Sequence, residues 1–153
     1  MAIIGYHPFD AVSASAMADF LNQPQIRTHL IEHPLFDEPA AQSWMNSKQA
    51  LDQKPGCRLR LVFIDGEFAG WCGIQPDEQG VELAIVIAPG FWGAGIRIFK
   101  TMLQWASELR HEWVVFHLLD SRKQYRALAK LASRVERHTW EGREFRTYVI
   151  EVK

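Results

Sequence analysis

The spacing of the hydrophobic positions predicts helices in the first third of the chain. Between Phe9 and Leu21, small residues accompany bulky apolar ones on one side, which favours a short helix that ends before Pro24. From Pro39 to Leu51 a second helix is predicted, because proline stands at its first position and Trp44 and Leu51 fall a helical repeat apart.

The middle of the chain changes to a period of two, which is typical of strands. From Arg58 to Phe63, large apolar residues at every second position alternate with arginine or valine. Asp65-Gly66 is a hairpin-turn dipeptide, and Phe68 to Ile74 is predicted to form the returning strand. A turn through residues 76–80 is expected next. The run from Val81 to Ile87 is apolar and β-branched, which predicts a central strand buried on both faces.

A glycine-rich loop follows this strand. Pro89 ends the strand, and Gly90-Phe91-Trp92-Gly93-Ala94-Gly95 precedes a helix from Ile96 to Leu109 whose apolar residues share one face. The first N–H groups of a helix lack internal partners, and glycine lets a phosphate approach them closely. Arg97 and Lys100 lie where the helix dipole disfavours cations, a conflict that a bound anion would relieve. A tight turn that binds nothing explains the same glycines.

Two common phosphate-binding motifs do not fit this loop. A P-loop needs Lys-Ser or Lys-Thr after its last glycine, whereas Gly95 is followed by Ile96-Arg97. A dinucleotide fingerprint needs a glycine where Ile98 stands. Its acidic ribose ligand, roughly 20 residues further on, is matched only loosely by Glu112 or Asp120.

The last third is predicted to mix strands and a helix. Trp113 to Leu119 is a strand, Arg122 to Ser133 a helix, and Val135 to Trp140 and Phe145 to Val152 are two strands around the Glu141-Gly142 turn. The resulting order predicts an α+β (α/β-type) fold with a mixed sheet. The 153 residues are one domain's length, so a single domain over residues 1–153 is expected.

Composition excludes several classes of protein. Hydrophobic residues make up 48% and charged residues 23% of the chain, as in an ordinary folded domain, with six tryptophans expected mostly in the core. Cys57 and Cys72 form no zinc or disulfide pattern. The N-terminus lacks the features of a secretory signal and no apolar run approaches the ~20 residues of a membrane span, so the cytoplasm is the expected location.

The net charge of −1 hides an uneven distribution. Residues 1–89 carry 5 Lys and Arg against 11 Asp and Glu, whereas residues 90–153 carry 12 against 7. The basic half therefore suits a small polyanion. Nucleic acid is an unlikely partner of a nearly neutral chain, although basic residues recur every fourth position on the predicted helix. A solvated face explains these equally well: Arg122, Arg126, Lys130 and Arg134.

The stretch from Val81 to Ile96, VELAIVIAPGFWGAGI, resembles the acetyl-coenzyme A-binding motif of the GNAT superfamily of N-acetyltransferases. Within this stretch, the pattern Pro-x-x-Trp-Gly-x-Gly-Ile is most similar to the branch that contains ribosomal-protein N-acetyltransferases. The order of elements also matches nearly the whole chain when residues 2–6 are counted as the first strand. The resemblance implies a mostly antiparallel central sheet, flanked by helices, with a splayed central strand pair.

The resemblance also implies where acetyl-coenzyme A would bind. The pantetheine arm would pair with the backbone of the central strand, and amides of the loop would hold the pyrophosphate at the helix N-terminus. Asp120 or Ser121 would replace the family's asparagine. The implied cofactor-binding residues are Ile85, Val86, Ile87, Gly90, Phe91, Trp92, Gly93, Ala94, Gly95, Ile96, Arg97 and Ser121.

Other positions depart from the family pattern. Gly90 stands where the family often has Gln or Arg. The family's tyrosine general acid is missing from the matching stretch, Leu128 to Ser133. Tyr125 is nearby, but its helical spacing with Leu128 and Ala132 favours a place in the core.

Glu82 is the candidate general base. Acetylation requires a neutral amine, and burial of a lone carboxylate in an apolar strand would raise its pKa towards neutrality. A structural carboxylate paired with a neighbouring strand is the alternative. His117 is a second candidate acid or base, although a satisfied structural histidine is the simpler interpretation. Cys72 is expected to be a small buried hydrophobe, and His29 and His33 lack a third ligand for a metal.

The preferred hypothesis is a cytoplasmic N-acetyltransferase that moves acetyl from acetyl-coenzyme A directly to a primary amine, without a metal. The alternative is a catalytically silent acyl-coenzyme A-binding module that acts through a protein partner. The acidic segment from Phe9 to Pro39 could attract a cationic amine, or be a solvated surface. The sequence does not decide between a monomer and a homodimer.

Overall fold

The fold is built on one seven-stranded sheet in a computed structural model that describes residues 1–28, 34–119, 126–140 and 142–152. The strands follow the order β1-β2-β3-β4-β5-β7-β6, and every neighbouring pair is antiparallel except β4 and β5. This confirms the predicted mixed, mostly antiparallel sheet. Its strands are β1 (Ile4–His7), β2 (Arg58–Ile64), β3 (Glu67–Asp77), β4 (Gly80–Ile87), β5 (Trp113–Leu119), β6 (Ala132–Trp140) and β7 (Arg143–Glu151).

Helices cover both faces of the sheet. The side chains of Ser13 and Asp37 accept hydrogen bonds from backbone N–H groups three residues on, which caps the first and third helices. Short 3-10 helices occupy Phe9–Ala11 and Pro89–Ala94. The α-helices are α1 (Ala14–Leu21), α2 (Pro24–Thr28), α3 (Glu38–Asp52), α4 (Gly95–Glu108) and α5 (Arg126–Leu131).

Two hydrophobic cores lie on opposite faces of the sheet, because successive strand residues point to opposite sides. One core joins the sheet to α4 and to Leu128 of α5, through buried residues such as Ile98 and Met102. The other joins the sheet to α1, α2 and α3, through residues such as Met17 and Trp71. The sheet is therefore the middle of three layers.

The parallel strands β4 and β5 separate soon after they meet. Their ladder contains one residue pair, Glu82 with Val115, whereas β3 and β4 remain paired from Asp77 and Gly80 to Gly70 and Ile87. Beyond Glu82, the edge of β4 that faces β5 consequently has no strand partner among the described residues. The splayed central pair is thus present.

The structure corrects the prediction for the first helix and the turn before β4. The helix begins at Ala14 rather than Phe9, and the separate helix α2 was not predicted. Pro76 lies inside β3 instead of in a turn. It is tolerated there because β2 pairs with β3 only as far as Ile74, so proline's missing N–H costs no bond to β2.

The basic stripe predicted for the last helix is also wrong. Helix α5 ends at Leu131 and β6 begins at Ala132, so Arg134 lies on a strand, where it forms an ion pair with Glu136. Residues 134, 136, 138 and 140 share one side of β6, a period of two that competes with the helical spacing. Arg122 and the side chain of Arg126 lie outside the described part of the chain.

Candidate active site

A cavity of about 820 Å³ occupies the region where β4 and β5 separate. Residues of α1, α2 and α3 line it on one side, and strands β3 to β7 line it on the other, together with residues of the 3-10 helix Pro89–Ala94, α4 and α5. Its polar side chains come mainly from the face of the sheet that packs against α3. The residues used below that line it are Phe36, Trp44, Lys48, Trp71, Gln75, Asp77, Glu78, Glu82, Trp92, His117 and Trp140.

Glu82 lies at the last point of contact between the two splayed strands. Its side chain is 21% exposed, and Gln75 Nε2 donates a hydrogen bond of 2.7 Å to Oε1. Burial is the largest influence and raises the pKa of Glu82, while the Gln75 hydrogen bond and the nearby His117 oppose that rise. A carboxylate with a raised pKa and one oxygen, Oε2, not bonded to Gln75 is suited to accept a proton.

His117 is fixed through both ring nitrogens. Nδ1 lies 2.7 Å from Thr147 Oγ1, and Nε2 lies 2.9 Å from Asp77 Oδ1. In neutral imidazole, Thr147 would donate to Nδ1 while Nε2–H donates to Asp77. The ring of Trp140 packs edge-on against the imidazole of His117, with 4.9 Å between the two ring centroids. His117 is therefore the satisfied histidine that the sequence favours, yet it also lines the cavity.

Asp77, Glu82 and His117 form a compact cluster. One ligand atom from each residue lies within 4.8 Å of the other two, a spacing that could hold a metal ion. The sequence gives no sign of this cluster, because its members lie on three different strands. Each side chain already has a protein partner: Glu82 accepts from Gln75, and Asp77 pairs with His117.

Lys48 was not predicted as a site residue. Its Nζ donates a hydrogen bond of 2.8 Å to Gln75 Oε1 and lies 4.5 Å from the ring centroid of Trp71 and 5.4 Å from that of Trp44. Burial lowers the pKa of this ammonium. In sequence, Lys48 looks like an ordinary polar position of an amphipathic helix, and only the docking of α3 on the sheet places it in the cavity.

The tryptophans are less buried than the sequence predicts. Of the six, only Trp71 is fully buried, and Trp113 and Trp92 are exposed. Four of them line the cavity: Trp44, Trp71, Trp92 and Trp140. The tryptophans therefore serve both the cores and the cavity, because Trp71 is a core residue and Trp44 and Trp105 pack against the two cores.

The glycine loop is wound into a 3-10 helix. The N–H of Phe91 donates to Ala88 C=O and that of Gly95 to Trp92 C=O, so these two amides are used within the loop. The Trp92 indole Nε1 donates to Ile87 C=O at 3.0 Å, which braces the loop against the end of β4. A Cβ atom added at any of the loop's three glycines would meet no other atom within 4 Å, so there is open space beside the backbone at Gly90, Gly93 and Gly95.

The structure brings together some of the residues implied for cofactor binding. Six of them line the cavity: Ile85, Val86, Ile87, Trp92, Gly95 and Ile96. Gly90, Phe91, Gly93 and Ala94 belong to the adjoining 3-10 helix but do not line the cavity.

Arg97 is placed elsewhere, because its guanidinium donates to Ala2 C=O at 2.8 Å beside β1. Several other candidates lie outside the described residues: His29, His33, Asp120, Ser121 and Tyr125.

Cys72 lies in the core on the α4 side of the sheet, away from the Glu82 face. Its side chain is fully buried, and burial raises the pKa of the thiol to about 12. A thiol of this kind is not a nucleophile at neutral pH. The prediction of a small buried hydrophobe is confirmed.

Family models and solved structures relate the chain to known proteins. Residues 5–134 match the model of the acetyltransferase (GNAT) domain. Among curated proteins, none matches the sequence. The match concerns the GNAT domain in general, so the closer likeness to the ribosomal-protein branch stays a prediction.

Solved structures share the fold at low sequence identity. A Bordetella pertussis protein assigned to the GNAT family superposes with a TM-score of 0.71 at 17% identity, over 98% of this chain and 99% of that one. A Chromobacterium violaceum protein of the same assignment superposes with a TM-score of 0.70 at 15% identity, over 98% of this chain and 87% of that one. The yncA protein of Salmonella typhimurium, described as an acetyltransferase with its cofactor acetyl-CoA, superposes with a TM-score of 0.66 at 11% identity, over 99% of this chain and 94% of that one.

Proposed function

The chain belongs to the GNAT family of acetyltransferases, and we propose that it transfers acetyl from acetyl-coenzyme A directly to a primary amine. The observation that carries this proposal is the position of Glu82, a half-buried carboxylate with a raised pKa at the point where β4 and β5 separate. A base is thereby placed beside an open strand edge within one cavity.

The residues present fit an extended thiol ester with a phosphate-rich end. Beyond Glu82, the open edge of β4 offers the backbone N–H and C=O groups of Ile85 to the polar arm of the cofactor, whereas those of Val86 face β3. The space beside the three loop glycines would admit a pyrophosphate close to the backbone. Ser121 stays a proposed contact, whereas we do not assign Arg97 to the cofactor because it binds Ala2.

When bound, acetyl-coenzyme A would supply the activated acetyl group: the amine nitrogen would take the acetyl carbon from sulfur, and coenzyme A would leave as the thiol with the second proton of the amine. Glu82 accepts a proton from the acceptor ammonium through Oε2, which leaves a neutral amine. Gln75 holds the other carboxylate oxygen and so orients Glu82 towards the cavity. His117, held by Asp77 and Thr147, keeps its Nε2 3.8 Å from Glu82 Oε2, and in its imidazolium form it would support the charged form of that carboxylate.

The proposal is tested by calorimetric titration with acetyl-coenzyme A, followed by assay of coenzyme A release with a panel of peptides, polyamines and small amines. We expect binding and turnover with at least one class of amine. Absence of binding would contradict the proposal. Binding without turnover across the whole panel would instead favour a silent binding module.

Further properties follow as parts of the same proposal. We propose that residues 1–153 form one acetyl-coenzyme A-binding domain. Within the described residues, no helix is both long and apolar enough to cross a membrane. Cys57 and Cys72 are free and buried, which suits a reducing compartment, and the cytoplasm is the location that we propose.

Replacement of Trp92 by Phe should weaken acetyl-coenzyme A binding modestly. The variant keeps an aromatic ring but loses the indole hydrogen bond to Ile87 C=O, which fixes the loop. Loss of one such bond corresponds to about a 2- to 10-fold rise in Kd, measurable by calorimetry. Trp113→Phe, at an exposed position on β5, is the matched control and should leave the Kd unchanged. Equal Kd values for both variants would contradict a bracing role.

Removal of metal ions should leave acetyl transfer unchanged. The three side chains of the Asp77, Glu82 and His117 cluster are already held by hydrogen bonds to protein groups. Rates measured before and after dialysis against EDTA provide the test. A loss of activity that added zinc restores would show that the cluster is a metal site.

A further inference from the structure

Lys48 carries the positive charge of the cavity. The described residues that line the cavity include the carboxylates of Asp77, Glu78 and Glu82, but Lys48 is the only lysine or arginine among them. Its side chain reaches in from α3, opposite the sheet that presents the carboxylates. The charges of this cavity are therefore divided between two walls.

The Lys48 ammonium has unused hydrogen-bonding capacity. An ammonium group carries three donors, and one of them is given to Gln75 Oε1 at 2.8 Å. The group otherwise faces the rings of Trp44 and Trp71. Within the part of the chain that the structure describes, no carboxylate forms an ion pair with Lys48. A partly buried cation of this kind is a ready partner for an anion.

Gln75 keeps Lys48 and Glu82 apart. Its carboxamide accepts from Lys48 Nζ at 2.8 Å and donates to Glu82 Oε1 at 2.7 Å. The cation and the carboxylate are thus two hydrogen bonds apart, so they attract each other through space but form no direct ion pair. A ligand that spans this carboxamide could place a positive group at Glu82 and a negative group at Lys48.

We infer that the acceptor is a small amine that also carries an anionic group, such as a carboxylate, and that Lys48 binds this group. The inference rests on the proposed function, which places the amine at Glu82. The aromatic walls formed by Phe36, Trp44 and Trp71 would enclose an apolar portion of the same molecule. An amino acid with a bulky apolar side chain has all three features.

The test compares L-phenylalanine with L-phenylalaninamide, which differ in the anionic group. We expect the wild-type kcat/KM, corrected for the fraction of neutral amine, to favour the carboxylate by on the order of 10- to 100-fold. Lys48→Met should abolish this preference, whereas Lys48→Arg should retain most of it. Lys54→Met removes an exposed lysine just after α3 and should leave the preference intact. Thermal melting and the Kd for acetyl-coenzyme A verify that each variant is folded.

The ratio between the two acceptors separates anion binding from a merely structural role. If Lys48 only oriented Gln75 and Glu82, its loss would slow both acceptors equally and leave the ratio unchanged. A wild type without preference, or a preference that survives Lys48→Met, would overturn the inference while acetyl transfer stands.

If no amine is acetylated, the proposed function fails, and calorimetric binding of the same pair then decides about the ligand class. Lys48-dependent binding of L-phenylalanine supports the inference in that case. Equal binding of the two compounds, or no binding, overturns it.

Discussion

Glu82→Gln is expected to lower kcat for acetyl transfer by about 10²- to 10⁴-fold, the usual contribution of a positioned general base. The substituted amide keeps the size of the side chain but cannot accept the proton of the acceptor ammonium. The Kd for acetyl-coenzyme A should change little, because Glu82 precedes the open edge of β4 that is proposed to hold the cofactor. Steady-state kinetics and calorimetry on the same preparation measure both quantities.

Glu78→Gln is the matched control, since Glu78 is an exposed glutamate that lines the same cavity. It should leave kcat nearly unchanged. The wild-type profile of kcat/KM against pH gives a second readout. Activity requires the carboxylate and is therefore lost as the pH falls through the pKa of Glu82, which burial holds above the usual range for glutamate. Unchanged turnover and an unchanged acid limb in Glu82→Gln would contradict the assignment.

The strands in the middle of the chain could be predicted because the sequence patterns that specify them involve neighbouring residues only. Asp65-Gly66 marks a hairpin, and Asp65 and Gly66 both adopt positive φ there. The boundary between α5 and β6 was missed because basic residues spaced by four positions suggest a helix, whereas Arg134 and Glu136 in fact pair along a strand. The segment fits both a helical period and a strand period of two, and its pairing with β7 stabilises the strand.

The site was only partly predictable for a related reason. Glu82 is visible in sequence as the single charge of an apolar strand. Lys48, Gln75 and Asp77 carry no such signal, since polar residues on a helix or at a strand end are usually solvated. They become site residues only because α3 packs on β2 and reaches β3 through Trp44 and Lys48, and because β3 extends through Pro76. Arg97 shows the converse: its place beside the glycine loop predicts a contact with the cofactor, whereas in the structure its guanidinium donates a hydrogen bond to Ala2 C=O.

Gly70→Ala should destabilise the protein strongly and weaken acetyl-coenzyme A binding. Gly70 has a φ of +149°, and a Cβ atom there would lie 2.1 Å from Val86 C=O and 2.8 Å from Ile87 Cα. The backbone of β4 would have to move away from β3, at a cost of about 1–3 kcal/mol for overpacking beyond the strain at positive φ. The moved segment is the one proposed to contact the cofactor.

Gly80→Ala separates the two parts of this effect. Gly80 also has a positive φ, +127°, but a Cβ atom there meets nothing within 4 Å. Both variants therefore share the backbone strain, and only Gly70→Ala adds the collision with β4. Thermal unfolding should show Gly70→Ala melting lower than Gly80→Ala by roughly 2–4 °C for each kcal/mol of collision energy. Equal melting temperatures would mean that β4 yields freely at Val86; an unchanged Kd for acetyl-coenzyme A alongside a lowered Tm would instead argue that the cofactor does not use this segment.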